Sequence, residues 1–104
     1  MSFRRYEILL PIRYNNGQPV EDEKFDLVVE ELTEEFGGVT VNPEELRGVW
    51  LQQGQRFEDL NVRVVVEVED TLQASDFFVR CKEALKERFR QIEIRMVSYE
   101  VRIT

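Results

Sequence analysis

The sequence predicts an α+β domain of the ferredoxin-like kind, βαββαβ, with a four-stranded antiparallel sheet and two helices on one face. Three observations carry this. Apolar residues alternate with period two in an opening segment and in a long central one. Two other segments carry apolar stripes at helical spacing. These segments follow one another as strand, helix, strand, strand, helix, strand. The 104 residues suit one domain, 1–104, with no linker, low-complexity stretch or short-period repeat.

The opening strand is read from Tyr6, Ile8, Leu10, Ile12 and Tyr14, which alternate with Glu7, Leu9, Pro11 and Arg13. Pro11 has no amide hydrogen, so its nitrogen faces outward or sits at a bulge. Asn15-Asn16-Gly17 is turn chemistry. The first helix, 21–36, is read from Phe25, Val28, Val29, Leu32 and Phe36. Its first turn holds Glu21, Asp22 and Glu23, where the helix dipole favours negative charge. Val20 is placed to staple onto Phe25, and Gly37-Gly38 supplies the left-handed stop.

Val39-Thr40-Val41 is β-prone. Asn42-Pro43-Glu44-Glu45 predicts a cap followed by one helical turn, with proline first. Gly48 to Leu51 resumes an extended run, and Gln52 to Gln55 predicts a hairpin loop. In the next strand Leu60, Val62, Val64, Val66 and Val68 share one face, with Asn61, Arg63, Val65, Glu67 and Glu69 on the other. Asp70 with Gln73 has the capping-box spacing. The second helix then buries Ala74, Phe77, Phe78, Cys81, Ala84, Leu85 and Phe89. Ile92, Ile94 and Met96 alternate as the last strand. The apolar phase slips at Val97-Ser98 and continues on Tyr99, Val101 and Ile103, which predicts a β-bulge.

The helices are expected to cover Ile8, Leu10, Ile12, Val62, Val64, Val66, Ile92 and Ile94. The open face then carries Glu7, Leu9, Arg13, Arg63, Val65, Glu67, Glu93 and Arg95, joined by Trp50 and by Val97 or Tyr99. Its apolar residues lie near the middle with charges of both signs around them, the make-up of an interface core and rim. The candidate interface or pocket residues are Leu9, Arg13, Trp50, Arg63, Val65, Arg95 and Tyr99.

Composition narrows the chemistry. The chain has no histidine and one cysteine, and 14 basic against 21 acidic residues set its formal charge at −7. Histidine general bases, Ser-His-Asp triads and His-ligated metals are excluded, as are an internal disulfide and a zinc knuckle. No cofactor is expected and no catalytic, cofactor-binding or metal residues are assigned. A pI near 4.7 argues against nucleic acid as a partner. The first helix sets eight carboxylates between Glu21 and Glu35 against Lys24, so one surface carries the acidic excess and could dock a basic protein. Arg13, Tyr14, Asn42, Arg47 and Trp50 could together form a small polar pocket for a carboxylate or carbonyl compound. Cys81, on an apolar stripe, reads as an inert small hydrophobe. The apolar run at the N-terminus is too short for a signal-peptide core and no stretch is long enough for a membrane span. With a lone cysteine, this predicts a cytoplasmic protein.

Phe36-Gly37-Gly38-Val39-Thr40, then Gly48-Val49-Trp50, then Gly54 form an ordered set. Tyr6 to Pro11 precedes it and Lys86 to Gln91 follows it. With these residues the chain resembles a family of small bacterial proteins, frequent in cyanobacteria, described only as a domain of unknown function. That resemblance implies an α+β fold and supplies no catalytic residues. The residues themselves favour a non-catalytic interaction module, a homodimer built on the open sheet face with the acidic helix exposed for a partner. The other reading is a small dimeric α+β barrel-type enzyme or ligand-binding protein, acting on a small organic molecule without metal or histidine.

Overall fold

In the computed structural model the elements are β1 (Phe3–Pro11), α1 (Asp22–Phe36), β2 (Thr40–Gln52), β3 (Gln55–Glu69), α2 (Leu72–Arg88) and β4 (Met96–Val101). The backbone is described throughout, and the side chains at all positions except 43–48, 50, 52 and 57–59. The strands form one sheet in the order β2-β3-β1-β4, each neighbour antiparallel to the next. This is the ferredoxin-like topology that the order of segments predicts.

β1 is central, and its even residues face the helices. Tyr6, Ile8 and Leu10 are buried, as are Val64, Val66 and Val68 from β3. Opposite them lie Val28 and Leu32 of α1, Phe78 and Leu85 of α2, and Phe89 just beyond it. The ring of Phe78 stacks on Tyr6 with centroids 3.7 Å apart and on Phe36 at 5.2 Å, and meets Phe77 edge-on at 5.4 Å. Phe25 and Phe89 make a second edge contact at 5.3 Å. Pro11 is the last residue of β1. The Leu9 N–H bonds Arg95 O on the β4 side, so the nitrogen of Pro11, two residues on, points past the end of β4 where no ladder bond is lost.

The helix ends follow local chemistry. Gly37 takes φ 82° and its N–H closes on Thr33 O at 2.8 Å. The cap of α2 is Thr71, one residue later than the capping-box spacing suggests. Its hydroxyl accepts from the Ala74 N–H at 3.1 Å, while the Asp70 carboxylate accepts from Arg4 Nε, also at 3.1 Å. A remote ion pair thus takes the carboxylate that local spacing assigned to the helix. α2 closes with Gln91 N–H on Lys86 O at 2.8 Å and Arg90 at φ 55°, an arginine where glycine is usual.

Three further expectations, all about the strands, are overturned. Residues 42–45 form no helical turn; β2 runs through them as a single strand of 13 residues. The strand lies at the sheet edge, where a proline costs no ladder bond if its nitrogen faces outward. The ladder with β3 absorbs the local mismatch by a shift between Asn42 and Leu46. Second, β4 has no bulge: it pairs with β1 in unbroken register from Phe3↔Val101 to Ile8↔Met96. The apolar phase changes because the apolar residues change face. Met96 points to the helices, and Val97, Tyr99 and Val101 to the open side. Third, Ile92 does not face the core; it precedes the strand and is 91% exposed, whereas Ile94 is buried.

The loop of the β2–β3 hairpin is Gln53-Gly54, with φ 51° and 78°, between the pair Gln52↔Gln55. Two consecutive left-handed residues make the type I′ turn that matches strand twist. β3 is six residues longer than β1, and its first residues pair with β2 only. The hairpin therefore extends beyond the helix-covered body as a two-stranded arm, with Leu51 and Val49 exposed.

Candidate functional site

The sheet face away from the helices is built by the odd residues of β1, β3 and β4, because side chains alternate along a strand and paired residues share a face. Arg5 pairs with Glu67 and Tyr99, Glu7 with Val65 and Val97, and Leu9 with Arg63. The Leu9 N–H bond to Arg95 O, 3.0 Å, continues the β1–β4 ladder and brings Arg95 onto the same face. Phe3, Val101 and Glu69 complete one end.

The charges at the centre of this face are already paired. Arg63 Nε lies 3.3 Å from Glu7 Oε1, and Arg5 Nη2 lies 3.4 Å from Glu67 Oε1. The Tyr99 hydroxyl donates to Glu7 and accepts from Arg5 Nη1 at 3.4 Å. The Arg5 guanidinium is held more basic than usual, first by the Tyr99 hydrogen bond and next by the Glu67 charge. Around this network Leu9 and Val65 are half-buried, and Val97 and Tyr99 are 36% and 40% exposed.

Of the candidate residues, Leu9, Arg63, Val65, Arg95 and Tyr99 do share this face. Arg13 does not join them: it lies past the end of β1, and its Nη1 donates to Gly17 O at 3.0 Å, tying the Asn15-Asn16-Gly17 turn. The side chain of Trp50 lies outside the described residues, as does that of Arg47. Glu93, expected on the open face, instead reaches Lys82 of α2 at 2.8 Å, and that lysine holds its carboxyl below the usual range. Sequence reasoning missed Arg5 because it began the strand at Tyr6; extending the same alternation three residues back would have found both Arg5 and Phe3.

Of the polar pocket expected around Tyr14, Arg47 and Trp50 lie outside the described side chains, and the described residues at Tyr14 form a network of another kind. Tyr14 is buried. Its hydroxyl donates to Glu21 and accepts from Lys24 Nζ at 2.5 Å, while Lys24 also donates to Arg88 O at 2.8 Å. Lys24 and Arg90 sit over the Tyr14 ring at 4.8 and 4.6 Å. This network ties the start of α1 to the end of α2, and the Tyr14 hydrogen bond is the main cause of a lowered Glu21 pKa. Its hydrogen-bonding groups are engaged with one another.

The acidic helix keeps most of its carboxylates in solvent. Glu31 is taken by Arg88 at 2.7 Å, whereas Asp22, Glu23, Asp26, Glu30, Glu34 and Glu35 are exposed. A hollow of about 620 Å³, open to solvent, lies along Asp26, Val29, Glu30, Thr33 and Glu34. A second, of about 230 Å³, lies between α2 and β4 beside Phe78 and Met96. Cys81 is largely buried, and burial pushes its thiol up to about 11, as the inert reading expects. Among the described residues, no group of three or more Cys, Asp or Glu is placed to hold a metal ion, and no helix is long and apolar enough to cross a membrane.

No family model matches the chain, and no curated protein matches it. Solved structures do. The divalent cation tolerance protein CutA1 from Thermus thermophilus superposes with a TM-score of 0.67 at 20% identity, covering 98% of this chain and 86% of that one. CutA1 from Oryza sativa gives 0.64 at 10% identity over 100% and 84%. A phage SAM lyase in complex with S-methyl-5′-thioadenosine gives 0.63 at 15% identity over 98% and 90%. The chain therefore has the α+β fold of the CutA1 proteins, a fold that also carries a lyase.

Proposed function

We propose that the protein is a self-associating interaction module: two copies pack through their open sheet faces, and the acidic outer surface of α1 stays free for a basic protein partner. One observation carries this. The described part of the open face sets Arg5, Arg63 and Arg95 against Glu7, Glu67 and Glu69, so it is neutral, while the chain as a whole stands at −7. Its inner charges are ion-paired within the protomer, with Arg5 Nε left buried without a hydrogen-bond partner, and this pairing lowers the desolvation cost of covering them. Leu9, Val65, Val97 and Tyr99 then supply apolar area to bury. The eight carboxylates between Glu21 and Glu35 belong to the opposite layer. Face-to-face packing therefore places the like-charged helices as far apart as the molecule allows.

The test is solution mass. By sedimentation equilibrium the protein should have twice its chain mass of 12.4 kDa, and the Leu9→Asp/Val65→Asp variant should sediment as a folded monomer. A monomeric wild type, or a double variant with unchanged mass, would refute the proposal.

A further inference from the structure

Two charges on the open face have no partner among the described residues of their own chain. Arg95 is exposed beside Leu9 at one corner, and Glu69 is exposed opposite Phe3 at the diagonal corner. Every other described charge on this face is ion-paired within the protomer. The two corners are separated by six residues along β1 and two strand spacings across it, about 20 Å by about 10 Å. They cannot reach each other within one molecule. A two-fold axis lying between two stacked sheets, perpendicular to that diagonal, sets each arginine over the other chain's glutamate, and does so twice.

We propose that the second copy is held in a single orientation by reciprocal ion pairs, Arg95 of each protomer with the partner's Glu69. The inference rests on the face-to-face reading above and goes further, because it names the residues that choose among possible dimers. Other rotations of one neutral apolar sheet over another bury similar area. They leave Arg95 over apolar or cationic neighbours and leave Glu69 unpaired at a covered rim, which disfavours them. The occupant is thus a copy of this chain: the two unpaired corners are complementary to themselves under a two-fold.

The experiment measures dimer dissociation constants at low salt for wild type, Arg95→Glu, Glu69→Arg and the double reversal. Both positions are exposed and outside the core, and circular dichroism of each variant checks that it folds. Each single reversal turns two attractions into two repulsions, which should weaken association about 10- to 30-fold, with the double reversal back within about 3-fold of wild type. The two single variants mixed together should prefer each other, because the mixed dimer restores both pairs. A wild-type dimer whose constant is unmoved by either single reversal, or singles that show no preference for each other, overturns the pairing and leaves the dimer standing. A monomeric wild type overturns both.

Discussion

Phe78→Ala tests how the two layers are joined. Phe78 is 1% exposed and stacks on Tyr6 of the central strand and on Phe36 of the other helix, so it links three elements. Removing a buried phenyl costs about 3–5 kcal/mol through lost transfer energy and the cavity left behind. Stacking adds about 0.5–1.5 kcal/mol per aromatic pair beyond area. The ring lies between two flat partners that cannot both close on the gap, so the upper part of the range, about 4 kcal/mol or more, is expected. At about 2.1 cal/mol/K of unfolding entropy per residue, a domain of this length should lose roughly 18 °C in Tm. Urea unfolding followed by far-UV circular dichroism, at one fixed protein concentration because dissociation is linked to unfolding, gives the value directly. The control is Phe77→Ala, one residue away and only partly buried, for which about half that loss is expected. A Phe78→Ala loss under about 1.5 kcal/mol, or one no larger than the control's, would refute the assigned helix face and the three-ring stack.

Two further outcomes follow from local geometry and ionisation. Gly54→Ala places a Cβ on a residue at φ 78° in the two-residue hairpin turn, with nothing nearby to compensate. It should cost about 1 kcal/mol in urea unfolding, and an unchanged midpoint would refute the type I′ assignment. Cys81 should react with a thiol reagent in the native protein far more slowly than in urea. Because the folded thiol titrates near 11 and the unfolded one near 9, the unfolded chain loses its proton first, and stability should fall as pH rises from about 9 toward 11. Cys81→Ala should flatten that part of the pH–stability curve, and an unaltered slope would refute the burial argument.

Much of the architecture was legible because it is written in short-range periodicity. The even-numbered valines of β3 and the 25-28-32-36 stripe of α1 each name a buried face from neighbours a few residues apart. The resulting order of elements leaves few ways to build one sheet. The misreadings share a cause. Residues 42–45 carry local signals for a helical turn, but the chain is held extended by the β3 pairing on either side of the irregularity, Asn42 with Arg63 and Leu46 with Asn61. Asp70 was expected to cap a helix and Glu93 to lie on the open face, yet each is taken by a cation from another element, Arg4 and Lys82. Ile92 fits a strand by spacing, but β4 begins only at Met96, opposite Ile8.

The candidate site divides the same way. Membership of the open face by Leu9, Arg63 and Val65 follows from alternation alone, whereas that of Tyr99 needs the unbroken β1–β4 register. Which charges on that face are satisfied does not follow from alternation, because it depends on register across three strands: Glu7 meets Arg63 and Tyr99, Arg5 meets Glu67, and Arg95 and Glu69 are left over. The change of apolar face within β4 belongs with these. By itself the sequence determined the elements, the buried stripes, the acidic surface of α1 and the exclusion of histidine chemistry, since these depend on residue type and on neighbours one to four positions away. The tertiary structure alone decided the continuity of β2, the engagement of Arg13 in its turn and the unpaired diagonal of the open face. Those are set by hydrogen-bond registers and ion pairs between segments far apart in the chain, and the strength of such contacts is not encoded in local spacing.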